Sequence, residues 1–231
     1  MTAAAPGPER FPPSWGGPLT EADYVALADS WIPREIADQA MLRRVDAQSG
    51  REVVGQKGSR DCAGILFPYY WPGDPSPINY RVRRDHPDLV QGIDGKIKLE
   101  RKYLAAPGGA NRLYIPPSVT LDQLADSSIP IVIVEGEKKA LALWRLANHE
   151  APTPRFIPIG ISGVWNWRGK VGKTGGPAGE RLDVKGPISD LARIEWKGRT
   201  VFIVFDANVH TNDSVKAARK GIARELATRG A

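Results

Sequence analysis

The sequence predicts an α/β fold: a parallel sheet flanked by helices, preceded by a small α+β domain. Three observations predict it. "IVIVEGEKKALALWRLA" at 131–147 sets four consecutive β-branched residues directly before a helical pattern. "TVFIVFDAN" at 200–208 repeats that arrangement before the last helix. Uninterrupted apolar strands alternating with helices mark a parallel sheet buried on both faces. Upstream, "INYRVRRD" at 78–85 alternates with a period of two, as a strand with one solvated face does.

The elements follow in order. Residues 1–18 carry five prolines among glycines and read as a flexible arm. A helix opens near Thr20, where Thr20 and Asp23 form a capping-box pattern and Leu19 can staple on Tyr24. Its face is Tyr24, Leu27, Ala28 and Trp31. A second helix opens at Pro33, with Ile36, Ala37, Ala40 and Met41 as its stripe. "GILFPYYW" and "INYRVRRD" flank the turn-rich "PGDPSP", and "KIKLERKYLA" and "RLYIPP" flank "APGGAN". Residues 19–117 therefore form the small α+β domain. Residues 118–231 form the α/β domain: strand, helix over 137–147, strand "FIPIGIS", an insert at about 162–199, strand "TVFIVF", and a helix from about Asp213 to Thr228 stopped by Gly230.

Composition excludes several classes. No run approaches the roughly 18 apolar residues of a membrane span. No apolar core follows a positive region at the N-terminus, so no signal peptide is expected. The lone Cys62 rules out an internal disulfide or a multi-thiolate zinc site and fits a reducing, cytoplasmic setting. His86, His149 and His210 have no ligand spacing. "GKVGKTGG" misses the P-loop pattern, because Trp167 occupies the position of its first glycine. The net charge of +6 favours polyanionic partners.

The candidate site is a pair of acids. Ligand sites in open α/β sheets lie outside the carboxyl ends of the strands. Glu135 ends one predicted strand and Asp206 ends another. Either acid alone reads as a helix cap or the start of a loop. Two in the same strand-end position point to a site, because close carboxylates repel unless a cation joins them. A hard ion such as Mg²⁺, or Mn²⁺ in its place, suits oxygen ligands. Asp213 reads as the cap of the last helix. Lys138 and Lys139 can meet phosphates, although lysines on a helix face are usually only solvated.

At these residues the chain resembles the Toprim domain family. "IVIVEGEKKAL" carries its Glu-Gly, here Glu135 and Gly136, and "VFIVFDAN" stands where its Asp-x-Asp does, here Asp206, Ala207 and Asn208. "GVWNWRGK", an arginine before the acidic strand and a helix ending in Arg-Gly-Ala resemble a poorly characterised branch linked to phage and plasmid primases. "GILFPY…YRVRRDHP…KYLAAPGGANRLYIPP" resembles the segment that precedes the unit in that branch. The resemblance implies a primase-like nucleotidyltransferase module of a replication protein, with a helicase part elsewhere in a longer chain. Glu135, Asp206 and Asn208 would hold the metal, with Glu135 and Asp206 catalytic and nucleotides as substrates. Asn208 departs from the family's second aspartate and removes a charge. A nuclease using the same acids and a catalytically silent binding module are therefore the alternatives. Basic residues with aromatics suit single-stranded DNA or RNA. The expected contacts are Arg81, Arg83, Arg84, Lys98 and Lys102 in the first domain and Trp165, Trp167, Arg168 and Lys170 in the insert. Trp165 and Trp167 could instead wedge the insert onto the sheet.

Overall fold

The computed structural model describes residues 15–91, 97–176 and 180–231, without the side chains of Lys98, Leu99 and Asn208. The predicted arm lies outside the described residues as far as position 14. Its end is docked: Gly17 bridges Arg44, and the Trp15 ring meets Tyr80 edge-on at 4.5 Å. The chain is mixed α/β and divides into two compact units. The first holds 15–29, 33–70 and 74–109 of the described residues, and the second holds 30–32, 71–73 and 110–231. The boundary predicted after 117 thus falls after 109.

In the first unit, α1 (Glu21–Ala28) starts with the expected reciprocal cap between Thr20 and Asp23. Trp31 is not on its face; it follows the helix at φ +63° and is exposed. Helix α2 (Arg34–Gln39) has Pro33 at its N-cap. Strand β1 (Arg43–Val45) leads to α3 (Ala47–Val53), which sequence periodicity did not reveal. Strands β2 (Gly64–Tyr69) and β3 (Asn79–Arg84) form an antiparallel pair, with Leu66 opposite Val82. Strands β4 (Asp88–Gln91) and β5 (Ile97–Glu100) make a separate ribbon. Strand β6 (Tyr103–Leu104) closes the sheet in the order β1-β2-β3-β6. Its core joins Val45, Val54, Cys62, Leu66, Val82 and Leu104.

The second unit is built on a sheet of four strands. These are β7 (Leu113–Tyr114), β8 (Ile131–Glu135), β9 (Ile157–Ile161) and, after the insert, β12 (Val201–Val204), in the order β12-β8-β9-β7. The three long strands are parallel and β7 is antiparallel to β9. This pairing draws "RLYIPP" out of the first unit and explains the shifted boundary. Helix α4 (Leu121–Ala125) precedes β8, α5 (Glu137–Asn148) follows it, and α6 (Asp213–Thr228) follows β12. Ile131 to Val134 are buried as expected, but β12 is an edge strand with Phe202 and Val204 exposed. The insert carries an antiparallel ribbon, β10 (Arg168–Gly175) and β11 (Arg181–Pro187), then a 3-10 turn over Ser189–Arg193. Gly172, Lys173 and Thr174 lie within β10.

Two buried charges hold this unit together. Arg199 gives its guanidinium to the carbonyls of Glu195, Ile129 and Leu124 at 2.7–3.0 Å. Burial lowers its pKa. Asp190 accepts from Arg112 at 2.7 Å and from the Leu113 amide at 2.9 Å, tying the insert to β7. Among the described residues, no helix is long and apolar enough to cross a membrane.

Candidate functional site

Parallel register decides where the two acids lie. Val134 of β8 stands beside Val204 of β12. The strands therefore end level, Glu135 as the last residue of β8 and Asp206 two residues beyond the end of β12. Neighbouring strands lie about 4.8 Å apart, so the two carboxylates share one edge of the sheet. The electrostatics agree. The Glu135 pKa is raised, first by burial, then by the Asp206 charge, with Lys139 opposing.

Glu135 does not cap α5. That place belongs to Gly136, at φ +91° and ψ 163°, with no side-chain cap bond. This is a region essentially restricted to glycine. The Gly136 amide bonds the Ile161 carbonyl at 2.8 Å and so ties the turn to β9. A Cβ on Gly160 would come within 2.9 Å of the Gly136 carbonyl oxygen. The Glu-Gly pair thus separates a carboxylate at the edge from a helix that starts immediately after it.

Three features of the edge were not legible in the sequence. Lys139, one turn into α5, is ion-paired with Asp206, both about half exposed. Lys138 instead bonds the Ser30 hydroxyl at 2.7 Å. Glu137 is fully buried in the first turn of α5, and its charge helps burial raise the Tyr114 pKa. The repeat of acids in "EGEKK" was the only available signal for Glu137. The cap of α6 is Asn212, which accepts from the Ser214 and Val215 amides, whereas Asp213 begins the helix and pairs with Lys216. Asn208 lies in a 3-10 turn over Ala207–His210, and its side chain is outside the described residues.

The expected nucleic-acid contacts separate. In the first unit Arg81 and Arg83 alternate onto one face of β3, and the Arg81 guanidinium sits 4.8 Å from the Tyr103 ring centre. Lys102 is largely exposed, and partial burial, then Arg83, lower its pKa. Arg84 points the other way, with Val82, and is 3% exposed. It bonds the Asp61 carbonyl at 2.6 Å and Asp88 at 3.0 Å, so it is a structural cation and not part of an exposed basic face. The period of two that leaves Arg81 and Arg83 half-buried on one face buries Arg84 on the other. Lys98 lies in β5, its side chain outside the described residues.

In the insert the two tryptophans have different fates. Trp167 is 6% exposed and packs where Gly221 of α6 leaves room; a Cβ there would lie 3.0 Å from its ring. This ring wedges the insert in place. Trp165 remains 36% exposed, its indole N–H donating to the Ser214 hydroxyl at 3.1 Å. Arg168 lies 5.8 Å from both ring centres, and Lys170 pairs with Asp183 at 2.7 Å.

Fold and site together define an α/β protein with an acidic pair at the carboxyl edge of a mostly parallel sheet. Residues 122–231 match the model of a family described as a domain of unknown function (DUF3854). The match starts in α4 and spans both acidic strands and the insert. No curated protein and no solved structure matches the chain.

Proposed function

We propose that this chain is a nucleic-acid-binding protein of Toprim type, a metal-dependent, primase-like nucleotidyltransferase module of a phage- or plasmid-type replication protein. The observation that carries the reading is that two parallel neighbours end at one edge, Glu135 closing β8 and Asp206 two residues past β12, with the Glu135 pKa raised partly by the Asp206 charge. Two repelling, solvent-reachable carboxylates fit a Mg²⁺ or Mn²⁺ ion that keeps several waters. Among the described residues no group of three or more His, Cys, Asp or Glu is placed to hold a metal. The chain would supply Glu135 and Asp206, with Asn208 as a neutral oxygen ligand. A bound ion would neutralise phosphate charge and orient the attacking and leaving oxygens. Glu135 itself, with its raised pKa, suits a group that takes the proton of a 3′-hydroxyl. Arg81, Arg83 and Lys102 in one unit, and Trp165, Arg168 and Lys170 in the other, offer exposed or half-buried cations and a ring to single-stranded DNA or RNA.

The test is primer synthesis on a single-stranded template with nucleotides and Mg²⁺ or Mn²⁺. Product is expected from wild type and none from Glu135→Gln; equal product from both removes Glu135 from the chemistry. Degradation of a labelled strand without nucleotides would indicate a nuclease instead.

One observation favours a second reading, a silent binding module. The Lys139 ammonium already neutralises Asp206, and Asn208 lacks the charge to offset it. Calorimetric titration with Mn²⁺ separates the two readings. The enzyme reading expects wild type to bind and Lys139→Met to bind more tightly. The silent reading expects binding only in Asn208→Asp.

A further inference from the structure

The insert holds a cavity of about 450 Å³ that the acidic pair does not use. Asn111, Trp165, Asn166, Arg168, Lys170 and Lys185 line it. The volume lies within the few hundred Å³ usual for small-molecule sites. Its charge is unusual. Lys170 and Lys185 are directly opposite each other on the antiparallel ribbon, an arrangement that destabilises a strand pair. Asp183 neutralises Lys170 at 2.7 Å, which leaves Arg168 and Lys185 as excess positive charge around the space. The register shift between Lys170 and Gly172 marks a bulge, a device that re-aims side chains near sites. An anion between these cations would relieve their repulsion.

The rest of the lining suits a planar base. The Trp165 indole N–H is already satisfied by Ser214, so the ring is held while staying partly open to solvent. Asn111 donates to the Arg168 carbonyl at 2.8 Å and to the Asn166 side-chain oxygen at 3.4 Å. A carbonyl can only accept, so the Asn111 amide must face it nitrogen first. Its oxygen then has no donor among the described residues and is an acceptor for an exocyclic amine or a ring N–H. Asn166 is fixed in turn by donating to Ser162 at 3.0 Å. Ser162 follows Ile161, the register partner of Glu135. The loop carrying Trp165 and Asn166 therefore leaves the sheet at the edge that holds the acidic pair.

We infer that this cavity binds one nucleotide, with its base against Trp165 and its phosphates among Arg168, Lys170 and Lys185. The inference rests on the nucleic-acid reading above and narrows it to a base-and-phosphate site apart from the two acids. That nucleotide is either free or one unit of a strand.

The experiment is anisotropy of a fluorescently labelled ATP with the full chain in EDTA. No divalent ion is then available to the acidic pair, so the result is independent of primer synthesis. Wild type is expected to bind. Trp165→Ala and Lys185→Glu each weaken binding about tenfold or more, the scale of one stacked base or a reversed phosphate contact. Lys185→Gln gives a smaller loss, and Lys197→Gln, which removes an exposed charge beside Gly230 at the opposite end of α6 from Trp165 and Ser214, binds as wild type does. Trp165 is partly open and Lys185 exposed, so these changes leave the core intact. Unlabelled ATP that competes better than inorganic triphosphate supports the base contact. Unlabelled ATP that competes better than a short single-stranded oligonucleotide marks a free-nucleotide site, and an oligonucleotide that competes better than ATP marks a strand site. No binding by wild type, wild-type affinity in both Trp165→Ala and Lys185→Glu, or inorganic triphosphate competing equally would overturn the inference.

Discussion

Gly136→Ala isolates the backbone requirement behind the Glu-Gly pair. At φ +91° and ψ 163° the residue occupies a region that side chains with a Cβ avoid. A Cβ built there meets no heavy atom within 4 Å, so the cost is conformational and owes nothing to a clash. Holding a residue in such a region costs about 1–3 kcal/mol. For a chain of this length that lowers the melting temperature by about 2–4 °C per kcal/mol, or about 2–12 °C in all. Tryptophan fluorescence is a suitable probe, because every tryptophan except Trp15 belongs to the second unit. Gly172→Ala is the control: its Cβ is equally unobstructed but its φ is not positive, and the shift should stay within the equivalent of about 0.5 kcal/mol. Gly160→Ala has the opposite origin, a Cβ 2.9 Å from the Gly136 carbonyl oxygen, and should also destabilise. If Gly136→Ala melts with wild type, the turn does not need glycine and this account of the Glu-Gly pair is wrong.

Glu135→Gln should stabilise the protein at neutral pH. An acid whose folded pKa is raised keeps its proton in the folded state after the unfolded chain has lost it, so stability falls as pH rises through that window. The window opens at the ordinary glutamate value of 4.5 and extends upward, so urea denaturation should show the variant's advantage at pH 8 and its disappearance below pH 4.5. An advantage independent of pH would contradict the raised Glu135 pKa, which burial first and the Asp206 charge second produce. Asp190→Ala leaves the buried Leu113 amide without an acceptor, at about 1–3 kcal/mol, while Arg112, 31% exposed, can rehydrate. Asp190→Asn keeps an acceptor and should cost less; equal losses in urea would show that charge, not hydrogen bonding, is what matters there.

The chain's own pattern determined much of the local structure in both units. Ile131–Val134 before Glu135, the stripe of Val215, Ala218, Ile222 and Leu226 along α6 and the Thr20–Asp23 cap are local signals, set by residues a few positions apart, and each specifies its element without reference to the rest. The same is true of the alternation that sets Arg81 and Arg83 on one face of their strand. What only the tertiary structure decided depends on strand order and register, which no local pattern encodes. Pairing of β12 beside β8 brought Glu135 and Asp206 to one edge and put Lys139 on Asp206. Pairing of β7 with β9 moved residues 110–117 into the second unit. The approach of α6 buried Trp167 and left Trp165 open, and the ribbon's register set Lys170 opposite Lys185. Hydrogen bonds between distant strands are interchangeable in kind, so the selection among them lies in the packed whole.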